Sequence, residues 1–439
     1  VSELISVIGG GLAGSEAALQ LARRGFKIQL LEMRPNTNTE AHQTDYFAEL
    51  VCSNSLKSIR LDTGAGLLKA EMQLFDSILL NIAEACRVPA GHALAVDRSL
   101  FAQKVSEHIY QHPNIQIVRK EAQSFPAGKV VLATGPLTSK SMMHYLQNTL
   151  GEKQLFFFDA IAPIIDADTI DRNLVYAKAR YDKGDADYLN CAFTKEEYYA
   201  FVEALLLAEK HEAHEFENEF FAGDKFSFYE NCMPIEELAQ RGKDTLRHGV
   251  MRPMGLEIPA TGKKAFAVLQ LRAENKDLTA YNLVGCQTML RYSEQKKVFR
   301  MIPGLADATF LRFGSIHQNT YLNSPAILNQ NLSLQANPDV WIAGQLSGVE
   351  GYVECIASGL LIAKIISLEL HELPEETMLG QLWRRLLQAP LKGAFSPVNA
   401  NFGILPGLSS EIRDKKLKKE MLSQRSLATL KAALSYNNV

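Results

Sequence analysis

An α/β fold with a large α+β insertion is predicted by three strand-and-glycine units that sit toward the two ends of the chain. The first is "LISVIGGGLAGSEAALQLARRGFKIQLLEMRP", Leu4 to Pro35, the second "KVVLATGP", Lys129 to Pro136, and the third "DVWIAGQLSGVEGYVECIASGLL", which begins at Asp339. In the first unit Leu4 to Ile8 read as a short buried parallel strand. Ala17, Ala18, Leu21 and Ala22 recur at helical spacing, Gly25 fits a helix C-cap, and Phe26 to Leu31 form a second strand that ends in Glu32.

The glycine spacing has a chemical reason. Gly9, Gly11 and Gly14 make G-x-G-x-x-G: Gly9 for a tight turn, Gly11 for backbone approach to a pyrophosphate, Gly14 for close packing of helix on strand. The helix N-terminus then faces the phosphates. Glu32 lies 18 residues after Gly14, where an acid bonds the adenosine ribose and favours FAD or NAD over NADP. The A-T-G strand end at Gly135 resembles that of two-dinucleotide flavoproteins. Val340 to Ala343, with Gly344 and Gln345, resemble their second FAD contact, and Gly348, Gly351 and Gly359 allow close approach there. An ordinary strand–loop–helix unit is the alternative for the third segment alone. Together the pieces predict a Rossmann-like FAD-binding domain of the two-dinucleotide flavoprotein type, in two parts (1–136 and 311–439, the second with C-terminal helices), around an insertion domain at 137–310.

Composition is that of a globular protein. Of 439 residues 47% are hydrophobic and 22% charged, and no apolar run reaches the 18 or so residues of a membrane span. The opening residues go straight into a strand without the regions of a signal peptide, so the cytoplasm is the expected compartment. The six cysteines form no CxxC pair, which suggests neither a metal site nor a dithiol. A net charge of −3 does not advertise a nucleic-acid binder, yet leaves room for a local basic face.

Inside the insertion, "LFFFDAIAPIIDADTI" reads as strands, and "KEEYYAFVEALLLAEKHEAHEF" as a helix with Tyr198, Phe201, Val202 and Leu205 on one face. "AFAVLQLRAEN" and "AYNLVGCQTML" read as paired strands. Two basic runs stand out: Arg413 to Lys419 in a mixed-charge C-terminal helix, and Lys296, Lys297 and Arg300 beside Tyr292 and Phe299. Each fits a solvated helix face or an RNA-backbone contact. Cys191 and Cys286 fall in apolar strands, Cys86 follows a helical stretch, and Cys355 lies on the helix after the third glycine turn. Cys52, in "ELVCSNSLKS", and Cys232, in "YENCMPIEE", have polar, loop-like surroundings. Cys232 stands just before a helix opened by Pro234, where the helix dipole favours thiolate. Pattern leaves both catalytic and structural roles open for this pair.

The segments "AELVCSNSLKS", "CMPIEELAQRGKDTLR", "YNLVGCQTML", "EQKKVFRMIPGL", "GVEGYVE" with "ASGLL", and "FSPVNANFGILP" resemble, in order, those of the folate- and FAD-dependent tRNA (uracil-5-)-methyltransferases. The resemblance implies transfer of a methylene group from 5,10-methylenetetrahydrofolate to uracil C5, reduction by FADH2, and reloading of the flavin by NAD(P)H. It implies the T-loop uridine of tRNA as target, with large-subunit ribosomal RNA as the alternative in some relatives. An FAD oxidoreductase acting on a small substrate, and a non-catalytic FAD-stabilised binding protein, are the competing readings. By resemblance Cys232 adds to C6, Cys52 is the second thiol acting on C5, and Asn399, Asn401 and Phe402 lie near flavin and folate. A phenyl face suits stacking on a pterin or isoalloxazine ring. Gln318 departs from the family, which often has arginine there, and Cys355 raises the question of a third thiol near the cofactor. Oligomeric state is not legible in the sequence.

Overall fold

Five parallel strands form the central sheet, in the spatial order Val340–Ile342, Lys129–Leu132, Leu4–Ile8, Lys27–Glu32 and Ile115–Arg119. Both ends of the chain therefore build one sheet, as the three glycine units predict. The computed structural model describes residues 3–39, 41–151, 155–182, 186–211, 233–390, 395–410 and 412–436; the side chains of 155–160, 316–318 and 436 lie outside the description. Cys232 also lies outside the described residues. No helix among the described residues is long and apolar enough to cross a membrane.

The sheet reads as apolar runs because helices cover both faces. Helix Leu12–Arg23 buries 11 of its 12 residues, polar Ser15, Glu16 and Gln20 included. Helix Tyr352–Ile366 packs beside it, and the contact is made at backbone distance. A Cβ on Gly359 would stand 2.2 Å from the Ala13 carbonyl oxygen, and one on Gly14 would stand 1.9 Å from that of Gly9. Neither obstacle is a flexible side chain, so these positions require glycine.

The insertion forms a six-stranded antiparallel sheet, in the order Val175–Ala177, Tyr188–Phe193, Ala267–Ala273, Ala280–Leu283, Ile164–Asp166 and Phe310–Arg312. Helix Lys195–Leu207 covers it, burying Tyr198, Phe201, Val202 and Leu205, the face read from the sequence. Cys191 sits in a strand, whereas Cys286 lies beyond Ala280–Leu283 in a turn closed by its N–H on the Leu283 carbonyl; the strand expectation, drawn to Leu290, ran seven residues too far. A ribbon of Leu155–Ala160 and Ile316–Tyr321 stands where the chain passes between the two large sheets.

Buried glutamates tie helices together. Glu16 accepts from the N–H groups of Ile78 and Leu79, and Glu71 from those of Met378 and Leu379, each satisfying amides that a helix start leaves without intrahelical partners. Ser426 of the C-terminal helix Lys415–Tyr436 also donates to Glu71. Burial is the largest influence on Glu71 and pushes its pKa up from 4.5 to about 7, against these hydrogen bonds. The native state thus keeps a proton that the unfolded chain releases. Stability from this group is fully present below about pH 4.5 and is lost as pH rises through about 7. The melting temperature of the wild type, relative to Glu71→Gln, should fall across that window and level off above it. Parallel pH profiles for the two proteins would show Glu71 ionised throughout.

Candidate active site

Gly9 to Gly11 and the strand end after Lys129–Leu132 face a cleft of about 540 Å³, also lined by Glu32, Arg34, His42, Thr134 and Ser139. Gly9 takes φ +98°, a left-handed conformation that suits glycine, and brings the turn against the Ala133 carbonyl. A Cβ on Gly11 would meet nothing within 4 Å, so the backbone there stands open to a ligand. The N-terminus of helix Leu12–Arg23 follows directly. An open turn, a helix N-terminus and an acid at the next strand end fit the pyrophosphate and ribose of a dinucleotide.

Glu32 is buried, and its two oxygens are divided. Oε2 accepts from the Gly10 N–H at 2.8 Å, and Oε1 from the Arg34 N–H and Nε at 3.0 Å each. Burial opposes its charge, but the Arg34 guanidinium and these hydrogen bonds outweigh that and hold its pKa below the ordinary value. Arg34, 2% exposed, also pairs with Glu49 at 3.2 Å. Burial, then the Arg34 charge, pushes His42 down to about 4, which leaves its ring neutral at pH 7.

The second glycine turn lies against the start of helix Leu12–Arg23. Gly344 donates its N–H to Ser358 Oγ at 2.6 Å and faces Ala13, and Gln345 Nε2 donates to Glu350 at 2.6 Å. Gly351 caps helix Tyr352–Ile366 and faces Glu354 Oε2 and Lys57 Nζ. Gly135, at φ +70°, lies beside Thr134 at the cleft.

Cys52 sits where these parts converge. Its N–H and that of Ser53 donate to the Tyr352 hydroxyl, at 2.7 and 3.2 Å. The next two residues are held by the insertion: Arg272 donates to Ser53 Oγ at 2.8 Å and to Asn54 Oδ1 at 2.9 Å. Asn54 Nδ2 donates to the carbonyls of Ala273 and Val96. The Arg98 and Arg312 guanidiniums stand close enough to Cys52 to act on it electrostatically, and burial keeps the Tyr352 phenol protonated. Arg98 pairs with Glu274 of the insertion at 2.9 Å. The "NANFG" segment joins through Glu354, whose Oε1 accepts from the Ala400 N–H and from Lys57 Nζ, each at 3.0 Å. Asn401 caps the short turn Phe402–Ile404, and Lys419 stands 5.8 Å from the Phe402 ring centroid.

The structure thus brings together Cys52, the Gly344–Gly351 turn and Asn401–Phe402, and sets Gly344 against Ala13 at the start of the first glycine helix, whose turn Glu32 holds through the Gly10 N–H. Arg34, Asn54, Arg272, Arg98 and Tyr352 were not singled out from the sequence. A charged or polar residue without its partner gives no local signal; the arginine–proline after Glu32 and the asparagine beside Cys52 were the available hints. Cys86, Cys191, Cys286 and Cys355 are buried, and burial raises each thiol's pKa. Cys355 is therefore a packing residue. Among the described cysteines, Cys52 alone should react with iodoacetamide in native protein, read by peptide mass spectrometry; native labelling of Cys355 would overturn that packing role. Asn54→Ala leaves the Arg272 guanidinium and two carbonyls short of partners, at a cost of about 1–3 kcal/mol each where the group stays buried. A lower urea midpoint checks this, and an unchanged midpoint would show that water replaces the asparagine.

Residues 4–374 match the family profile described as glucose inhibited division protein A. The chain is 49% identical to a methylenetetrahydrofolate–tRNA-(uracil-5-)-methyltransferase TrmFO of Halalkalibacterium halodurans, with 97% of each chain covered. To the proteins of that name from Anoxybacillus flavithermus and Staphylococcus carnosus it is 48% and 46% identical, over 97% of this chain and 98% of theirs. The structure of Aquifex aeolicus GidA superposes with a TM-score of 0.68 at 15% identity, over 99% of this chain and 73% of that one, a likeness of fold.

Proposed function

The chain belongs to the glucose inhibited division protein A family and, within it, to the folate- and FAD-dependent tRNA (uracil-5-)-methyltransferases, and from that premise we propose that it methylates uracil C5 in tRNA with the one-carbon unit of 5,10-methylenetetrahydrofolate. The observation that carries this reading is the placement of Cys52. It is the one described cysteine that is not buried, and Tyr352 of the nucleotide-binding part and Arg272 of the insertion hold its loop from two sides.

Residues 1–136 and 311–439 are taken as the two parts of the FAD-binding domain, with 137–310 as the insertion. Gly9, Gly11, Gly14 and Glu32 would hold the adenosine and pyrophosphate; Gly135, Gly344, Gln345 and Gly351, with Asn401 and Phe402, would lie toward the flavin and folate. Bound FAD, in its reduced form, supplies the hydride that completes the methyl group, and NAD(P)H restores that form.

The thiols do what uracil requires. C5 is a poor nucleophile until a thiolate adds at C6: an S–C bond forms, and the displaced electron pair becomes an enolate that makes C5 attack the one-carbon carrier. A base then removes the C5 proton, and the C–N bond to tetrahydrofolate breaks with its electron pair on the carrier to leave an exocyclic methylene. Hydride added to that methylene makes the methyl group, and the resulting enolate expels the thiolate to release 5-methyluracil. Cys232 is assigned to C6 and Cys52 to the C5 side. The cytoplasm, where tRNA and folate meet, is the proposed compartment.

Methyl formation should need protein, NAD(P)H, methylenetetrahydrofolate and unmodified tRNA together, read as 5-methyluridine by mass spectrometry. Cys232→Ala should abolish the covalent adduct with a 5-fluorouridine stem-loop, and Cys52→Ala should abolish turnover. An undiminished adduct in Cys232→Ala removes that residue as nucleophile. Methylation of ribosomal RNA with none of tRNA moves the target.

A further inference from the structure

The insertion carries a feature that methyl transfer does not use. Tyr292, Phe313 and Phe310 form a column of nearly parallel rings: centroids are 4.9 Å apart at 21° for the first pair, and 5.2 Å apart at 13° for the second. Phe310 packs against the insertion core, which roots the column, while Tyr292 at its other end is 51% exposed. Phe299, the other aromatic of this stretch, is fully buried and belongs to that core.

Tyr292 opens helix Tyr292–Phe299, and Lys296 and Arg300 follow at four-residue spacing, which places all three on one exposed face. Lys296 Nζ stands 5.5 Å from the Phe313 ring centroid. The neighbouring Lys297 is paired with Glu294, but among the described residues no carboxylate pairs with Lys296. Stacked rings flanked by an unneutralised cation are what an unpaired nucleotide recognises: each base has a π-face, and each phosphate a negative charge.

The column also stands beside the catalytic segment's attachment points. The His211 N–H donates to the Met289 carbonyl at 2.8 Å, and the Ile235 N–H to that of Gln287 at 2.7 Å. The His211 ring lies 5.5 Å from that of Tyr292. The described residues on either side of the stretch that carries Cys232 are therefore held beside the Tyr292 end of the column.

We propose that Tyr292, backed by Phe313 and flanked by Lys296 and Arg300, forms a stacking platform for unpaired nucleotides next to the target uridine of the RNA substrate. The proposal rests on the RNA-methylation reading and adds the surface that receives the opened loop.

The FAD-loaded protein and a T-arm stem-loop, carrying 2-aminopurine beside the target uridine, test it. Binding should quench the 2-aminopurine, and Tyr292→Ala should lose the quench and weaken binding about tenfold. Tyr292→Phe should restore both, and Lys296→Gln should lower the slope of log Kd against log salt by about 0.7. FAD content and the KM for methylenetetrahydrofolate should not move. Unchanged RNA affinity in Tyr292→Ala overturns the platform, as does a raised folate KM with RNA affinity intact, which would put the pterin on the column. Wild-type turnover separates the two readings. A wild type that binds and quenches without methylating sinks the methyltransferase and leaves the platform standing.

Discussion

The close approach of two helices from opposite ends of the chain is the constraint on which the molecule is built. Helix Leu12–Arg23 and helix Tyr352–Ile366 meet where Gly359 lies on the Ala13 backbone, and the first of them sits on its own turn through Gly14 on Gly9. At that distance there is no room for a Cβ. The contact brings the two glycine turns, separated by more than three hundred residues of sequence, to one place, where Gly344 and Gly359 both face Ala13. The nucleotide cleft opens at one turn, and the Cys52 loop hangs from the first residue of the helix that follows the other.

Buried carboxylates extend the same logic to the rest of the fold. Glu16 and Glu71 close the starts of helices elsewhere in the chain, and Glu236 accepts from the Met289 N–H and the Thr288 hydroxyl, fixing helix Ile235–Gln240 to the segment that follows strand Ala280–Leu283. Each is costly to bury and each is hydrogen-bonded, the condition under which a buried polar group is tolerated. Their partners lie far away in sequence, so they set the registration of elements that apolar packing alone would leave free to slide.

The nucleotide-binding half was legible because its signals are local. Strand, glycine turn, helix and acid succeed one another within Leu4 to Glu32, and the apolar face of helix Lys195–Leu207 is written at 3.6-residue spacing. Cys52 was visible only as a cysteine in polar company. What surrounds it was not visible, because Tyr352 and Arg272 lie about 300 and 220 residues away and nothing near either names its partner. Arg34 reads in sequence as a surface charge, yet it is buried between Glu32 and Glu49, since only two opposing carboxylates make its burial tolerable. The Tyr292 column had half a signal: the sequence showed an aromatic beside basic residues, but proposed Phe299, which faces the core, in place of Phe313.

The loop at Cys52 has a consequence for how this protein can change over time. Its amides answer to Tyr352 of one lobe, Ser53 Oγ and Asn54 Oδ1 to Arg272 of the other, and Asn54 Nδ2 to a carbonyl of each. The thiol has no address that either lobe could specify by itself. A nucleotide-binding half inherited without its insertion would keep a cofactor pocket and lose the coordinates of the reaction. The two lobes are therefore a single unit of inheritance, joined at this loop by its hydrogen bonds to both more than by the length of chain between them.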